Sequence, residues 1–258
     1  MLPAAGTGAA PLRLALGSLR RRYGQEVIRT ASQEVLQGLS TGVGELDRIT
    51  GCGGLPQGRI TRLGGGVGSG AFDLGLALAA RVGATGLLAL VDFTKGVDPG
   101  ELDAYGGDLG NTWVVRPRSP LEGWAAARAL ARAGVGLCLL VLDPGDPGPS
   151  PGAAAALLAG LVEGGGAGLL LGEWQPPLAL RSRVSLELGC QRLEWLLANG
   201  DVSGMRLRVQ VLRSHLGAPG TSCRLRLRFP RPYPGMPGLA QEVGREMEPV
   251  PLPLVASA

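Results

Sequence analysis

Between residues 59 and 171, short apolar runs alternate with stretches of helical periodicity, and this alternation limits the possible folds more than any other feature of the chain. Runs at 59–63, 86–91, 112–115, 137–142 and 167–171 read as strands, and 71–82, about 98–105, 120–133 and 152–163 read as helices. A strand that is apolar on both faces has to be covered on both, since a wet face would show a polar residue at every second position. The pattern predicts an α/β fold, a mostly parallel sheet flanked by helices. The last third reads differently. Runs near 184–188, 191–197, 205–213 and 222–229 alternate with period two, as in Met205-Arg206-Leu207-Arg208-Val209-Gln210-Val211. These predict antiparallel strands with one wet face at the C-terminal edge of the sheet.

The loop between the first of these strands and its helix carries a phosphate-binding pattern with its chemistry removed. A P-loop reads G-x-x-x-x-G-K-[ST]: backbone N–H groups cradle the phosphates, the Lys meets their charge, and the hydroxyl holds Mg²⁺. Here Gly65 and Gly70 keep the spacing, while Ala71 replaces the Lys and Phe72 the Ser/Thr. Phe cannot ligate a cation that takes oxygen ligands. The site is expected to be vestigial, with no catalytic residue, metal or cofactor.

With 258 residues and an apolar fraction of 45%, the chain can bury one large domain with extensions. The domain prediction is an N-terminal extension with a helix at 1–38, a core at 39–229 and a flexible, proline-rich tail at 230–258. Prolines at 230, 232, 234, 237, 249, 251 and 253 exclude regular structure from much of that tail. Cys52, Cys138, Cys190 and Cys223 form no C-x-x-C pair, and with one histidine they do not build a zinc site. His215 reads as a turn residue. No signal peptide or membrane-length apolar run is evident, so a soluble cytoplasmic setting is expected.

The order of features resembles the RecA recombinase core. Ser40-Thr41-Gly42, Leu46-Asp47 and Gly53-Gly54-Leu55-Pro56-Gln57-Gly58-Arg59-Ile60 are similar to the segment leading into the RecA P-loop. Leu90 through Pro99 is similar to the RecA second-strand segment, and Leu139-Leu140-Val141-Leu142-Asp143 to a Walker B strand. Arg206 through His215, then Ala218-Pro219, is similar to the late antiparallel hairpin. The resemblance implies that a water-orienting glutamate would stand where this chain has Thr94. Orienting water and stabilising developing charge supply most of phosphoryl-transfer catalysis, so that loss compounds the others. Asp143 remains, either to hold Mg²⁺ through water or to cap the turn after it. The loops that hold DNA in RecA are reduced here. One, 144–151, is rich in Pro and Gly without positive charge, and the other, about 173–183, carries only Arg181 and Arg183.

A broken P-loop, this length and a proline-rich tail further resemble the ImuA family, accessory proteins of damage-induced mutagenesis. Trp113 through Pro120 is similar to that family's third-strand segment. The resemblance implies a non-catalytic role in error-prone translesion synthesis, with RecA, ImuB and an error-prone C-family DNA polymerase as partners. Two other readings stay open: an unorthodox ATPase using Lys95, and a single-stranded-DNA-binding module.

Charge marks the candidate surfaces. Arg20-Arg21-Arg22 could meet phosphates or an acidic partner, or form a solvated helix face. If the late strands pair, Arg206, Arg208, Arg213, Arg224, Arg226 and Arg228 share one face. Like charges opposed across strands are unfavourable unless something negative sits there, and Glu187, Glu194 and Asp201 could supply it internally. In the tail, Leu239, Val243 and Met247 stand at helical spacing, suited to folding on a partner.

Overall fold

The computed structural model describes residues 17–18, 36–143, 148–172, 178–215 and 219–229. Gly17 and Ser18 are helical; the rest of the expected N-terminal helix, Arg20, Arg21, Arg22 and the tail lie outside the described residues. Residues 37–258 form one compact unit and residues 1–36 another.

A two-stranded antiparallel ribbon of β1 (Gly38–Leu39) and β2 (Leu55–Pro56) brackets helix α1 (Gly44–Thr50). The main elements come in the order β3 (Ile60–Gly64), α2 (Ala71–Gly83), β4 (Leu88–Asp92), α3 (Pro99–Ala104), β5 (Thr112–Val115), α4 (Pro120–Arg132), β6 (Leu137–Val141), α5 (Pro151–Gly164), β7 (Ala167–Gly172), α6 (Leu178–Arg181), β8 (Val184–Ala198), β9 (Asp201–Ser214) and β10 (Ser222–Arg228). Strands β3 to β10 form one sheet in the order β10-β9-β8-β3-β7-β6-β4-β5. Pairing is parallel from β5 through to β8 and antiparallel across β8-β9-β10. This is the expected mostly parallel sheet with antiparallel strands at one edge. No described helix is long and apolar enough to cross a membrane.

The helix boundaries have local causes. Asp98, Ser119 and Ser150 each accept a hydrogen bond from a backbone N–H in the helix they precede, and a proline comes directly after each. The side-chain oxygen satisfies an orphan donor of the first turn, and proline there forfeits no bond. Along β4, Leu88 and Leu90 enter the core on the α2 side, while Ala89 and Val91 enter the core against α4 and α5. The motif around residues 40–47 is structural. Asp47 accepts from the Thr41 hydroxyl at 2.6 Å, the Thr41 N–H at 3.0 Å and the Ser40 hydroxyl at 2.7 Å, tying α1 to the strand before it.

Three expectations are corrected. The runs at 184–188 and 191–197 form one continuous strand, β8, accommodated by register shifts rather than a turn. Its first half pairs parallel with β3 on one edge and antiparallel with β9 on the other, and is almost wholly buried on both faces, so the expected wet face appears only beyond Cys190. The third difference concerns β5: as the edge strand it exposes Trp113 and Val114, and is not covered on both faces.

Candidate nucleotide site and arginine face

Gly65 to Gly70 link β3 to α2 in the position of a P-loop. The Ser69 N–H donates to the Gly66 carbonyl at 3.0 Å, and the Ala71 N–H donates to the Ser69 hydroxyl at 3.3 Å, closing the loop on itself. The two spaced glycines have packing reasons of their own. A β-carbon at Gly65 would lie 2.6 Å from the Cys190 carbonyl oxygen of β8. Gly70 has φ +81°, and a β-carbon there would sit 2.3 Å from the Met205 sulfur on β9. The spacing is therefore required by the sheet that packs on the loop, whatever the loop binds. Gly70→Ala is expected to lower unfolding stability by about 2–3 kcal/mol through left-handed strain and this clash, as read by chemical denaturation.

The first turn of α2 reads Ala71-Phe72-Asp73. Ala71 is buried, Phe72 is 41% exposed, and burial pushes the Asp73 carboxyl above its ordinary value. A helix N-terminus favours anions, but this one offers neither a lysine nor a metal-binding hydroxyl, and a carboxylate stands in the same turn. The residues present do not fit a Mg²⁺–nucleoside triphosphate.

Parallel pairing places the ends of β4 and β6 at the same end of the sheet as this loop. Asp92, at the end of β4, is fully buried. Its carboxylate accepts from the Thr94 hydroxyl at 2.5 Å, the Thr94 N–H at 3.0 Å, the Lys95 N–H at 2.9 Å and the Val97 N–H at 2.9 Å. Thr94 is thus engaged in folding its own loop, and its hydroxyl also accepts from the Gly96 N–H at 3.2 Å. Lys95 is exposed and takes the left-handed φ of 59° that this wrapping demands. Asp143 is exposed just past β6, and residues 144–147 lie outside the described residues.

The arginine face forms at five of the six expected positions. In register, Arg208 stands opposite Arg224 and Arg206 opposite Arg226, while the alternate residues Met205, Leu207, Cys223 and Leu225 enter the core. Arg228 continues the row opposite Gly204. Arg206 pairs with Glu194; the Nε atoms of Arg224 and Arg226 find no acceptor among the described residues. Arg213 is committed elsewhere, beyond a register shift in β9. It donates to the Arg181 carbonyl at 2.7 Å and lies 3.6 Å from Glu187. Asp201 sits at the hairpin turn, and His215 is exposed after β9.

Two arrangements escaped the sequence reading. Arg62, 2% exposed in the middle of the sheet, donates to Glu187 at 2.7 Å. The signal was present as lone charges in two apolar strands, Thr61-Arg62-Leu63 and Leu186-Glu187-Leu188. Beside the loop, the Arg192 guanidinium stacks 4.1 Å over the Trp195 ring, and a β-carbon at Gly68 would lie 3.0 Å from its Nη1.

Residues 10–145 match the sequence profile of the RecA N-terminal domain. The chain belongs to the RecA N-terminal domain family. Relatives of this RecA-family chain include Protein RecA of Rubrobacter xylanophilus, 35% identical over 137 residues, covering 51% of this chain and 39% of that protein. Protein RecA of Mycolicibacterium smegmatis is 27% identical over 246 residues, covering 81% of this chain and 70% of its own length. Among solved structures, the RadB recombinase superposes with a TM-score of 0.57 at 17% identity, over 73% of this chain and 95% of RadB. The RecA-type fold is thus shared with a recombinase.

Proposed function

We propose that this RecA-family chain is a scaffold that has kept the recombinase frame and given up nucleotide turnover. It acts in error-prone translesion synthesis as an ImuA-type accessory protein, through RecA, ImuB and an error-prone C-family polymerase. The observation that carries the reading is the first turn of α2, where Ala71, Phe72 and Asp73 occupy the positions that would meet phosphate and metal. Support also comes from Thr94, whose hydroxyl is held by Asp92 and so is not available to orient water. The test is calorimetric titration with ATP and ADP in Mg²⁺, run beside a hydrolysis assay and capture of purified RecA and ImuB. The expected result is no turnover and capture of at least one partner at micromolar concentration. Mg²⁺-dependent turnover, or capture of neither, overturns it.

The arginine face favours a second reading, contact with a polyanion such as single-stranded DNA. Four guanidinium groups stand in facing pairs, and Glu194 is the carboxylate that answers one of them. Neutralising phosphates releases counterions, so affinity should fall steeply with salt. Arg208→Glu/Arg224→Glu is expected to weaken binding about tenfold or more and to reduce the salt slope by about two. An unchanged slope removes this reading.

A further inference from the structure

One edge of the large sheet keeps its backbone open and lines it with charge. The Val211 N–H donates to the Thr221 carbonyl at 2.8 Å and the Phe229 N–H to the Ser203 carbonyl at 2.9 Å, with no register shift between them. The residues of β10 that bond to β9 are therefore the odd-numbered ones, because bonded and non-bonded positions alternate along an antiparallel pair. The N–H and C=O groups of Arg224, Arg226 and Arg228 point the other way, along the free edge. Among the described residues β10 is the last strand on this side, and no hydrogen bond reaches those groups.

The side chains at this edge select what can join it. An incoming antiparallel strand would bond to Arg224, Arg226 and Arg228, and its residues opposite them would share their face. The Nε atoms of Arg224 and Arg226 have no acceptor, and neither Arg208 nor Arg228 has an ion pair among the described residues. Glu194 answers Arg206 alone. A carboxylate at every second position would stand against this row of unanswered guanidinium groups, a favourable cross-strand pairing. On the other face Cys223, Leu225 and Leu227 enter the core, so the intervening residues of the incoming strand should be apolar. A second copy of β10 is disfavoured, since it would set arginine against arginine. Nucleic acid has no ladder to offer the edge, and the arginine face of β9 and β10 holds no aromatic residue on which a base could stack.

We propose that the open edge of β10 is a docking strand for a partner protein, which adds to the sheet an extended segment alternating carboxylate and apolar residues. The inference rests on the scaffold reading and gives it the chemistry of one partner. Single-stranded DNA on the same arginines is the competing outcome. Failure here is distinguishable from failure of the scaffold reading, because exchange at three edge amides is blind to ATP turnover and to the capture of RecA or ImuB.

The probe is a short synthetic peptide of alternating Glu and Val, added to the full chain and followed by residue-resolved amide exchange. The expected result is exchange about tenfold slower at Arg224, Arg226 and Arg228, with Cys223, Leu225 and Leu227, already bonded to β9, unchanged. Methylating the amide nitrogens of the peptide's glutamates, which would face β10, should abolish the protection, and methylating those of its valines should not. Arg224→Glu/Arg226→Glu should weaken the peptide about tenfold or more, and a peptide of alternating Lys and Val should then bind in its place. Exchange unchanged by the Glu/Val peptide overturns the proposal. So does equal protection by the glutamate-methylated peptide or by an oligothymidylate, which would assign the arginines to polyanions in general. Protection that the chain shows without peptide and loses on dilution also overturns it, and would assign the edge to a second copy.

Discussion

Replacing Asp92 with alanine is expected to lower the unfolding free energy by about 3–5 kcal/mol. The buried carboxylate gathers three backbone N–H groups and the Thr94 hydroxyl into the loop after β4. Removing the acceptor strands these donors, and each buried unsatisfied group costs about 1–3 kcal/mol. Loop relaxation and water recover part of the sum, because Thr94 and Lys95 are exposed while Val97 is buried. At about 2–4 °C per kcal/mol for a domain of this size, the melting temperature should fall by about 10 °C. Asp92→Asn keeps one acceptor oxygen and should cost roughly half as much. A melting temperature unchanged by Asp92→Ala would show that the loop holds its shape without the carboxylate.

Glu187→Ala is expected to destabilise the fold on a similar scale, by leaving Arg62 without its partner. Arg62 is buried in the strand that leads to the vestigial loop, and burial lowers its pKa against the opposing pull of Glu187. Taking Glu187 away leaves an uncompensated charge inside the sheet, which costs about 3–5 kcal/mol in comparable buried pairs. Arg213 loses its carboxylate as well, though it is half exposed and keeps the Arg181 carbonyl. Replacing both partners with apolar residues removes the charge together with its need. Arg62→Met/Glu187→Leu should therefore unfold within about 1 kcal/mol of wild type. Denaturant titration of the single and double variants separates the outcomes. A mild Glu187→Ala would mean that water already reaches Arg62.

The parallel sheet was legible because β4, β6 and β7, buried on both faces, show it as apolar runs broken only by Asp92 at the end of β4. Helix starts were legible where Asp98, Ser119 and Ser150 stand before proline. The course of β8 was not, because Gly189 and Cys190 resemble a break in the pattern. Their backbone passes close under the Leu212 side chain and beside Gly65, so smallness there serves packing rather than a turn. At the site, the missing lysine and hydroxyl could be read from Ala71 and Phe72. The reason the glycines persist could not, since it lies in Met205 and Cys190, well over a hundred residues further along the chain. Arg213 was grouped with the other arginines by alternation, and the register shift beside Leu212 gave it a different task.

The position of β3 has a consequence for synthesis. It is the first strand of the large sheet to be made, and both of its neighbours, β7 and β8, are made only after β4, β5 and β6. Glu187, the partner of Arg62 on β8, comes 125 positions later. At ribosomal rates of about 5–20 residues per second, β3 waits several seconds or more with both edges open. An apolar strand in that condition invites pairing with other chains, and a charge within it discourages this. Arg62 is therefore expected to add little to the finished fold and to protect the nascent one. The double replacement Arg62→Met/Glu187→Leu, nearly neutral once folded, should accordingly lower the soluble yield of newly made chain and send the difference into aggregates.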